Sequence, residues 1–147
     1  MSSFQVIVGS MLGGSEYVAE ACEETLTALG HDVELHFQPN FAQINSENQT
    51  WLICTSTHGA GDYPDNIQAF VTDLEKSDQD LSSVKFLTIG VGDSSYDTFC
   101  FAAKNLNKLL ISKGFIEIVP IKTLDMSEDI DPEERSQNWL NENKDHL

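Results

Sequence analysis

Short apolar segments alternate with longer amphipathic segments along most of this chain. Phe4 to Val8, Thr50 to Ser56 and Val84 to Val91 are each short and rich in apolar residues, as is typical of strands buried on both faces. The segments that follow them repeat their apolar residues at helical spacing. Strands that alternate with helices predict a parallel sheet with helices on both of its faces.

Four helices are expected from the apolar spacing and from the residues at helix ends. Gly30 and Gly114 are typical stop signals after the first and third of them. A last helix is expected to open at Asp131, which can cap it, with Pro132 at its first position. The predicted ranges of the three earlier helices are Glu16 to Leu29, Ile67 to Glu75 and Phe99 to Lys113.

Two further strands complete the predicted sheet. Val33 to Phe37 alternates in character, as an edge strand does, and Phe115 to Ile121 is read as the fifth strand. Right-handed crossovers and a short first βαβ unit favour the strand order 2-1-3-4-5. The expected fold is α/β, a five-stranded parallel sheet between two helical layers, in a single domain over residues 1–147.

The balance of charges excludes several classes of partner. The chain has 24 acidic against 8 basic residues and a net charge of −16. Nucleic acids and anionic membrane surfaces are therefore not expected partners, because both need basic clusters. The charge can serve solubility alone, or it can steer the chain toward a basic protein. An odd number of cysteines without a CxxC pair, and the lack of a secretion signal, predict a cytoplasmic location.

Three loops rich in glycine and hydroxyl residues follow three of the predicted strands. They are Gly9 to Ser15, Ser56 to Asn66 and Gly90 to Tyr96. Open α/β sheets bind ligands at the carboxyl ends of their strands, where such loops meet. Together the loops predict one site for a flat ligand that carries a phosphate.

The first loop is the candidate for the phosphate. Gly13, Gly14 and Ser15 stand where a helix begins, so backbone amides and the helix dipole can hold an anion. The loop has neither the lysine of a nucleoside-triphosphate loop nor the GxGxxG dinucleotide spacing. It suits a monophosphate held by neutral donors such as the Ser10 and Ser15 hydroxyls. The alternative is a capped helix start whose glycines only make a tight turn.

The other two loops hold candidates for contact with an aromatic ring. Tyr96 follows a Gly-x-Gly-Asp turn and could stack on a ring, or it could instead pack on the next helix. His58 could lie on the opposite face of the ring, although a lone histidine is more often an ordinary surface residue. Gly59 and Gly61 allow backbone conformations that let main-chain groups approach a ligand edge.

The same three loops resemble those of a known family. In order they read GSMLGGSEYVAE, STHGAGDYPDN and GVGDSSYDTFC, and they resemble the loops of flavodoxins and of the FMN domains of diflavin reductases. The resemblance covers nearly the whole chain and is to the short bacterial members. Residues 115–126 lack the insertion that long-chain flavodoxins carry in their last strand. The resemblance implies a flavodoxin-like three-layer sandwich that binds FMN.

The resemblance also assigns roles to residues. It implies that the first loop holds the FMN phosphate, that the other two line the isoalloxazine ring with Tyr96 stacked on it, and that Gly59 and Ala60 lie near the flavin N5. Leu12 replaces a hydroxyl usual in the first loop, and His58 replaces an aromatic residue of many relatives. The residues implied to bind FMN are Ser10, Met11, Leu12, Gly13, Gly14, Ser15, Ser56, Thr57, His58, Gly59, Ala60, Gly61, Gly92, Asp93, Tyr96, Phe99 and Cys100.

The implied function is electron transfer. FMN would carry the electrons, and the protein would supply binding, orientation and electrostatics. A basic electron-donor reductase and an acceptor protein would dock at the flavin edge, and the short bacterial members imply a role in biotin synthesis. The alternative is an oxidoreductase that uses FMN to reduce quinones or nicotinamide acceptors directly. The expected docking rim consists of Asp62, Asp65, Asp93 and Asp97.

Two other classes that share this strand order are excluded by the residues in the loops. A response regulator needs an acidic pair after the first strand and an aspartate at the end of the third, where this chain has Gly9-Ser10 and Ser56-Thr57. A low-molecular-weight phosphatase needs a cysteine and an arginine in one phosphate loop. The only arginine is Arg135, near the carboxyl terminus.

Overall fold

A computed structural model describes residues 2–10 and 14–147 of the chain. Strands and helices alternate in it as the sequence predicts, and two short 3-10 turns lie at Phe41–Gln43 and Lys144–His146. The strands are β1 (Ser3–Gly9), β2 (Asp32–His36), β3 (Thr50–Ser56), β4 (Lys85–Gly92), β5 (Ile116–Glu117) and β6 (Lys122–Asp125). The helices are α1 (Gly14–Ala28), α2 (Asp65–Lys76), α3 (Phe101–Ser112) and α4 (Pro132–Glu142).

The strands form one parallel sheet in the order β2-β1-β3-β4-β5, which confirms the predicted order. β6 also pairs with β4 in parallel. Since β3 occupies the other side of β4, β5 and β6 lie end to end in the fifth position of the sheet. β2 pairs only with β1 among the described strands, so it is the edge strand that its alternating sequence predicts.

The predicted fifth strand, Phe115 to Ile121, is wrong in its extent. β5 pairs beside Lys85 and Phe86, residues 118–121 are not strand, and β6 resumes the pairing beside Ile89 to Gly92. Pro120 lies in the break and has no N–H to give to a ladder. The carboxyl end of this sheet position is therefore Asp125 rather than Ile121.

Both faces of the sheet are buried, because successive side chains of each central strand point to opposite faces. One face packs against α1 and α4, and the other against α2 and α3. Cys22 and Cys54 are fully buried in the core between the sheet and helices α1 and α4, as the sequence predicts for small core residues. Burial raises the pKa of Cys22 to about 12. No helix in the described ranges is long and apolar enough to cross a membrane.

The helix ends follow the sequence signals in one case and depart from them in another. Asp131 caps α4, because its Oδ1 accepts the Glu133 and Glu134 amides at 3.1 Å each. α3 begins at Phe101 rather than at the predicted Phe99. Its N-cap, Cys100, has a φ of 54°, in the left-handed region, through which a right-handed helix cannot continue.

A chain of polar side chains ties β2 to β1 and to the residue before β3. His36 Nε2 lies 2.7 Å from Gln5 Oε1, and Gln5 Nε2 donates to Gln49 Oε1 at 3.0 Å. The side-chain nitrogen of Gln5 donates to Gln49, so the side-chain oxygen of Gln5 accepts the hydrogen bond from His36. Burial lowers the pKa of His36 below its ordinary value of 6.5, and the nearby Glu34 carboxylate opposes this only in part.

The lowered pKa of His36 predicts a loss of stability in mild acid. The unfolded chain takes up a proton on His36 at a higher pH than the folded chain does. The contribution of the neutral His36 side chain to the free energy of unfolding is therefore complete above about pH 6.5. It declines as the pH falls toward the pKa that His36 has in the folded protein. His36→Gln keeps an N–H donor but cannot titrate, so its free energy of unfolding should fall less between about pH 7.5 and pH 5.

Urea unfolding of both proteins at several pH values measures this difference. His146→Gln, in the exposed carboxyl-terminal turn, is the matched control and should follow the wild type. Parallel curves for wild type and His36→Gln would show that His36 contributes nothing to the acid sensitivity.

Candidate functional site

The strands β1, β3 and β4 end together at the carboxyl edge of the sheet. In the parallel ladders Gly9 pairs with Thr55 and Ser56 pairs with Val91, so the three strands end side by side. The Ser56 hydroxyl donates to the Gly9 carbonyl at 3.4 Å across this edge. The three loops singled out from the sequence therefore begin at one edge of the sheet.

A cavity of about 310 Å³ opens between the loops that follow β3 and β4. Its volume is at the lower end of the range for small-molecule sites. Ser56, His58, Ala60 and Gly61 belong to the same segment of chain but are outside the lining. The lining residues are Thr57, Gly59, Gly92, Asp93, Tyr96, Thr98, Phe99 and Cys100, all of which except Thr98 were predicted from the sequence.

The β3 loop folds back on itself in a tight turn. His58 and Asp62 exchange two backbone hydrogen bonds of 2.8 Å each, and the His58 side chain is exposed. Gly59 and Gly61 have φ values of 52° and 107°, which L side chains rarely adopt. A Cβ on Gly59 would meet nothing within 4 Å, so the backbone there is open to a ligand edge. The Thr98 hydroxyl donates to the Gly59 carbonyl at 3.3 Å and joins this turn to the β4 loop.

Tyr96 presents its ring to solvent at the wall of the cavity. The side chain is 68% exposed, so it is not packed into the next helix. Its amide donates to the Asp93 carbonyl at 3.1 Å. The Asp93 carboxylate accepts the amide and the hydroxyl of Ser95, at 2.9 and 2.6 Å. The turn thus supports an exposed aromatic ring, an arrangement suited to stacking.

Asp125 anchors the β4 loop from the neighbouring strand, a role the sequence analysis missed. Its Oδ1 accepts the Ser94 amide at 3.0 Å and the Ser127 amide and hydroxyl at 3.0 and 2.7 Å. These hydrogen bonds, from Ser94 and Ser127, hold the pKa of Asp125 well below its usual range. The available signal was an aspartate at a strand end, which was missed because the strand was taken to stop at Ile121.

Cys100 and Thr57 join the β3 loop, the β4 strand and the start of α3. The Cys100 thiol is buried, and a Cβ on Gly92 would lie 3.1 Å from its sulfur. Burial raises its pKa to about 11, so the thiol is neutral near pH 7 and is a poor nucleophile. Cys100 makes no side-chain cap bond, and the Thr57 hydroxyl instead accepts the Ala102 amide at 3.0 Å.

The predicted phosphate site lies at the start of α1. Ser15 is 1% exposed, and its hydroxyl has no hydrogen-bond partner among the described residues. A Cβ on Gly14 would meet nothing within 4 Å, so the backbone beside it is open. Met11, Leu12 and Gly13 lie outside the described residues, and their predicted roles stay predictions.

These features fit FMN. A buried hydroxyl without a partner costs free energy, and a phosphate oxygen at the start of α1 could accept its proton. The cavity offers an exposed tyrosine ring and open glycine backbone to a flat ring system. The roles of the individual residues toward FMN remain predictions.

Comparisons with known proteins agree with this geometry. The profile of the Flavodoxin family matches residues 6–139. The chain is 42% identical over 135 residues to a protein MioC homolog from Pasteurella multocida, over 92% of this chain and 91% of that protein. It is 37% identical over 140 residues to protein MioC from Escherichia coli, over 95% of each. A cysteine-to-alanine mutant of flavodoxin from Pseudomonas aeruginosa has a similar structure, with a TM-score of 0.90 at 29% identity over 99% of this chain and 98% of that one. The chain therefore belongs to the flavodoxin family.

Proposed function

We propose that this protein is an FMN-dependent electron carrier, which takes electrons from a reductase and passes them to an acceptor protein. The observation that carries the proposal is the cavity between the loops after β3 and β4, with an exposed tyrosine at its wall, in a chain of the flavodoxin family. FMN, when bound, would supply the one- and two-electron chemistry.

The residues of the chain would bind and orient the cofactor. The Ser15 hydroxyl and the open backbone at Gly14 would hold the phosphate, and Tyr96 would stack on the ring. Thr57 and Gly92 would contact the ring from the two loops that flank the cavity. The buried, neutral Cys100 thiol would contribute packing rather than chemistry.

The size of the cavity favours a carrier over an enzyme with a second substrate. A volume of about 310 Å³ suits one ring system. A direct reductase of quinones or nicotinamide acceptors would need further room above the flavin. Steady-state turnover of nicotinamide cofactors or quinones without a partner reductase would favour that second function instead.

The charge of the chain supports basic protein partners. The net charge is −16, and the acids beside the cavity include Asp62 and Asp97, both exposed. We place the protein in the cytoplasm, because its three cysteines are all free and buried. As acceptor we propose an enzyme of biotin synthesis, on the resemblance to MioC proteins alone. If a reconstituted biotin-forming reaction ran equally well without this protein, the proposal of an acceptor in biotin synthesis would be wrong.

The binding of FMN tests the proposed function. The purified protein should bind one FMN and prefer it to riboflavin and FAD, because the first loop can hold one phosphate. Quenching of flavin fluorescence measures the three affinities. Equal affinity for FMN and riboflavin would show that the loop does not bind phosphate.

Ser15→Ala sharpens the same measurement. The variant should lose part of the preference for FMN over riboflavin. It should also raise the free energy of unfolding of the apoprotein by about 1 kcal/mol, because an unpaired buried hydroxyl is removed. Thermal unfolding without flavin reports the second effect. A destabilised apoprotein would mean that the hydroxyl already has a partner within the protein.

The stacking role of Tyr96 is tested by its removal. Tyr96→Ala should weaken FMN binding by about 1–3 kcal/mol, by analogy with base–aromatic stacking, and should leave thermal stability nearly unchanged because the ring is exposed. Tyr96→Phe keeps the ring and should keep most of the affinity. Unchanged FMN affinity in Tyr96→Ala together with a lower melting temperature would assign Tyr96 to packing.

The docking of basic partners is tested by salt dependence. Electron transfer from the reduced protein to cytochrome c, a basic acceptor, should slow steeply with added salt, because charges are screened beyond about 8 Å at 0.15 M. Asp62→Asn and Asp97→Asn should flatten this dependence in stopped-flow experiments. Glu47→Gln and Asp78→Asn change the charge equally, but they lie at or beyond the amino ends of the strands and should have little effect. Equal flattening by both pairs would mean that the overall charge steers the partner rather than acids beside the cavity, and rates that do not change with salt would leave solubility as the role of the charge.

A further inference from the structure

The side chain of Asn66 holds the backbone at the carboxyl ends of β1 and β2. Asn66 is the second residue of α2 and is half-buried. Its Nδ2 donates to the Val8 carbonyl at 2.6 Å and to the Phe37 carbonyl at 3.0 Å. Its Oδ1 accepts the Ser10 amide at 3.0 Å. The Asn66 carboxamide thus bonds three backbone groups, two through its N–H donors and one through its oxygen.

These three groups lie where the ladder between the two strands stops. The last pair of that ladder is Ile7 with His36. Phe37 directly follows β2 and Ser10 directly follows β1. The side chain of Asn66 therefore joins the two segments just beyond their last ladder pair. Only an amide of this length offers two donors and an acceptor, since an aspartate has no donor and an alanine has neither.

Asn66 therefore bonds Ser10, the residue at which the predicted phosphate loop leaves β1. Ser10 leaves β1 with its amide already engaged by Asn66, so that amide faces the protein rather than a ligand. α1 starts a few residues further on, with the open backbone at Gly14 and the buried hydroxyl of Ser15. The direction of the backbone at Ser10 sets where the connection from β1 to these donors begins.

We propose that Asn66 is a positioning residue for the flavin phosphate, which fixes the Ser10 end of the first loop from the start of α2. The inference rests on the proposed binding of FMN. Asn66 does not touch the phosphate; it acts through the backbone of Ser10. Its loss should therefore reduce the contribution of the phosphate to binding and spare the contribution of the ring.

The affinities for FMN and riboflavin separate these two contributions. Asn66→Ala and Asn66→Asp should each bind FMN about tenfold or more weakly, as when a hydrogen bond to a charged group is lost, with riboflavin affinity changed about twofold or less. Gln68→Ala removes a carboxamide from the exposed face of the same helix, where it donates to the Tyr63 carbonyl and the Asp65 carboxylate. This control should keep the preference of the wild type for FMN.

Equal losses of FMN and riboflavin affinity would make Asn66 merely structural and would overturn the inference. The wild type provides a second measurement that needs no variant to fold. The side-chain amide resonances of Asn66 should shift when FMN is added and stay in place with riboflavin, and equal shifts, or none, with both flavins would overturn the inference. A wild type that binds neither flavin would overturn the proposed function and the inference together. A wild type that prefers FMN, with variants that share its preference, would overturn the inference alone.

Discussion

The pairing of β1 with β2 on one side and β3 on the other is the contact on which the rest of the structure depends. Because all these pairs are parallel, the carboxyl ends of the strands lie at one edge, and every return connection must cross a face of the sheet. Helices then bury both faces, so only the strand ends are left to build a site. The chain places glycines and hydroxyls after β1, β3 and β4, and the loops after β3 and β4 line a cavity.

Polar side chains replace the ladder where the strands stop. Asn66 joins the ends of β1 and β2, Thr57 joins the end of β3 to α3, and Asp125 joins β6 to the loop after β4. Asn66 bonds backbone groups just beyond the β1–β2 ladder, Thr57 accepts an amide in the first turn of α3, and Asp125 accepts amides of two turns. The loops are thus held by the protein itself. A ligand that enters such a preformed site loses less binding free energy to the ordering of loops.

Local patterns were enough to predict the helices and the sheet order, whereas most of the cavity lining came from the resemblance to flavodoxins. The cap at Asp131 and the stop at Gly114 act over a few residues, so the sequence carries them directly. Asn66 could not be assigned in this way, because its partners lie far from it in sequence. Nothing in the local sequence indicates the left-handed backbone of Cys100, whose thiol packs against Gly90 and Gly92 from elsewhere in the chain. Pro120 marks the break in the sequence, but the apolar residues on both sides of it fit one continuous strand.

That break has a consequence for how such chains can change over evolution. β5 and β6 pair with β4 in two separate ladders. Lys85 pairs with Ile116 in the first ladder, and Ile89 pairs with Lys122 in the second. Residues inserted after Ile118, whose amide donates to the Phe86 carbonyl at 3.0 Å, would shift neither register, because residues 119–121 belong to no strand. A longer segment could therefore be acquired at this point without moving Asp125 or the loop it holds, and the fold could gain a new surface while its site stayed in place.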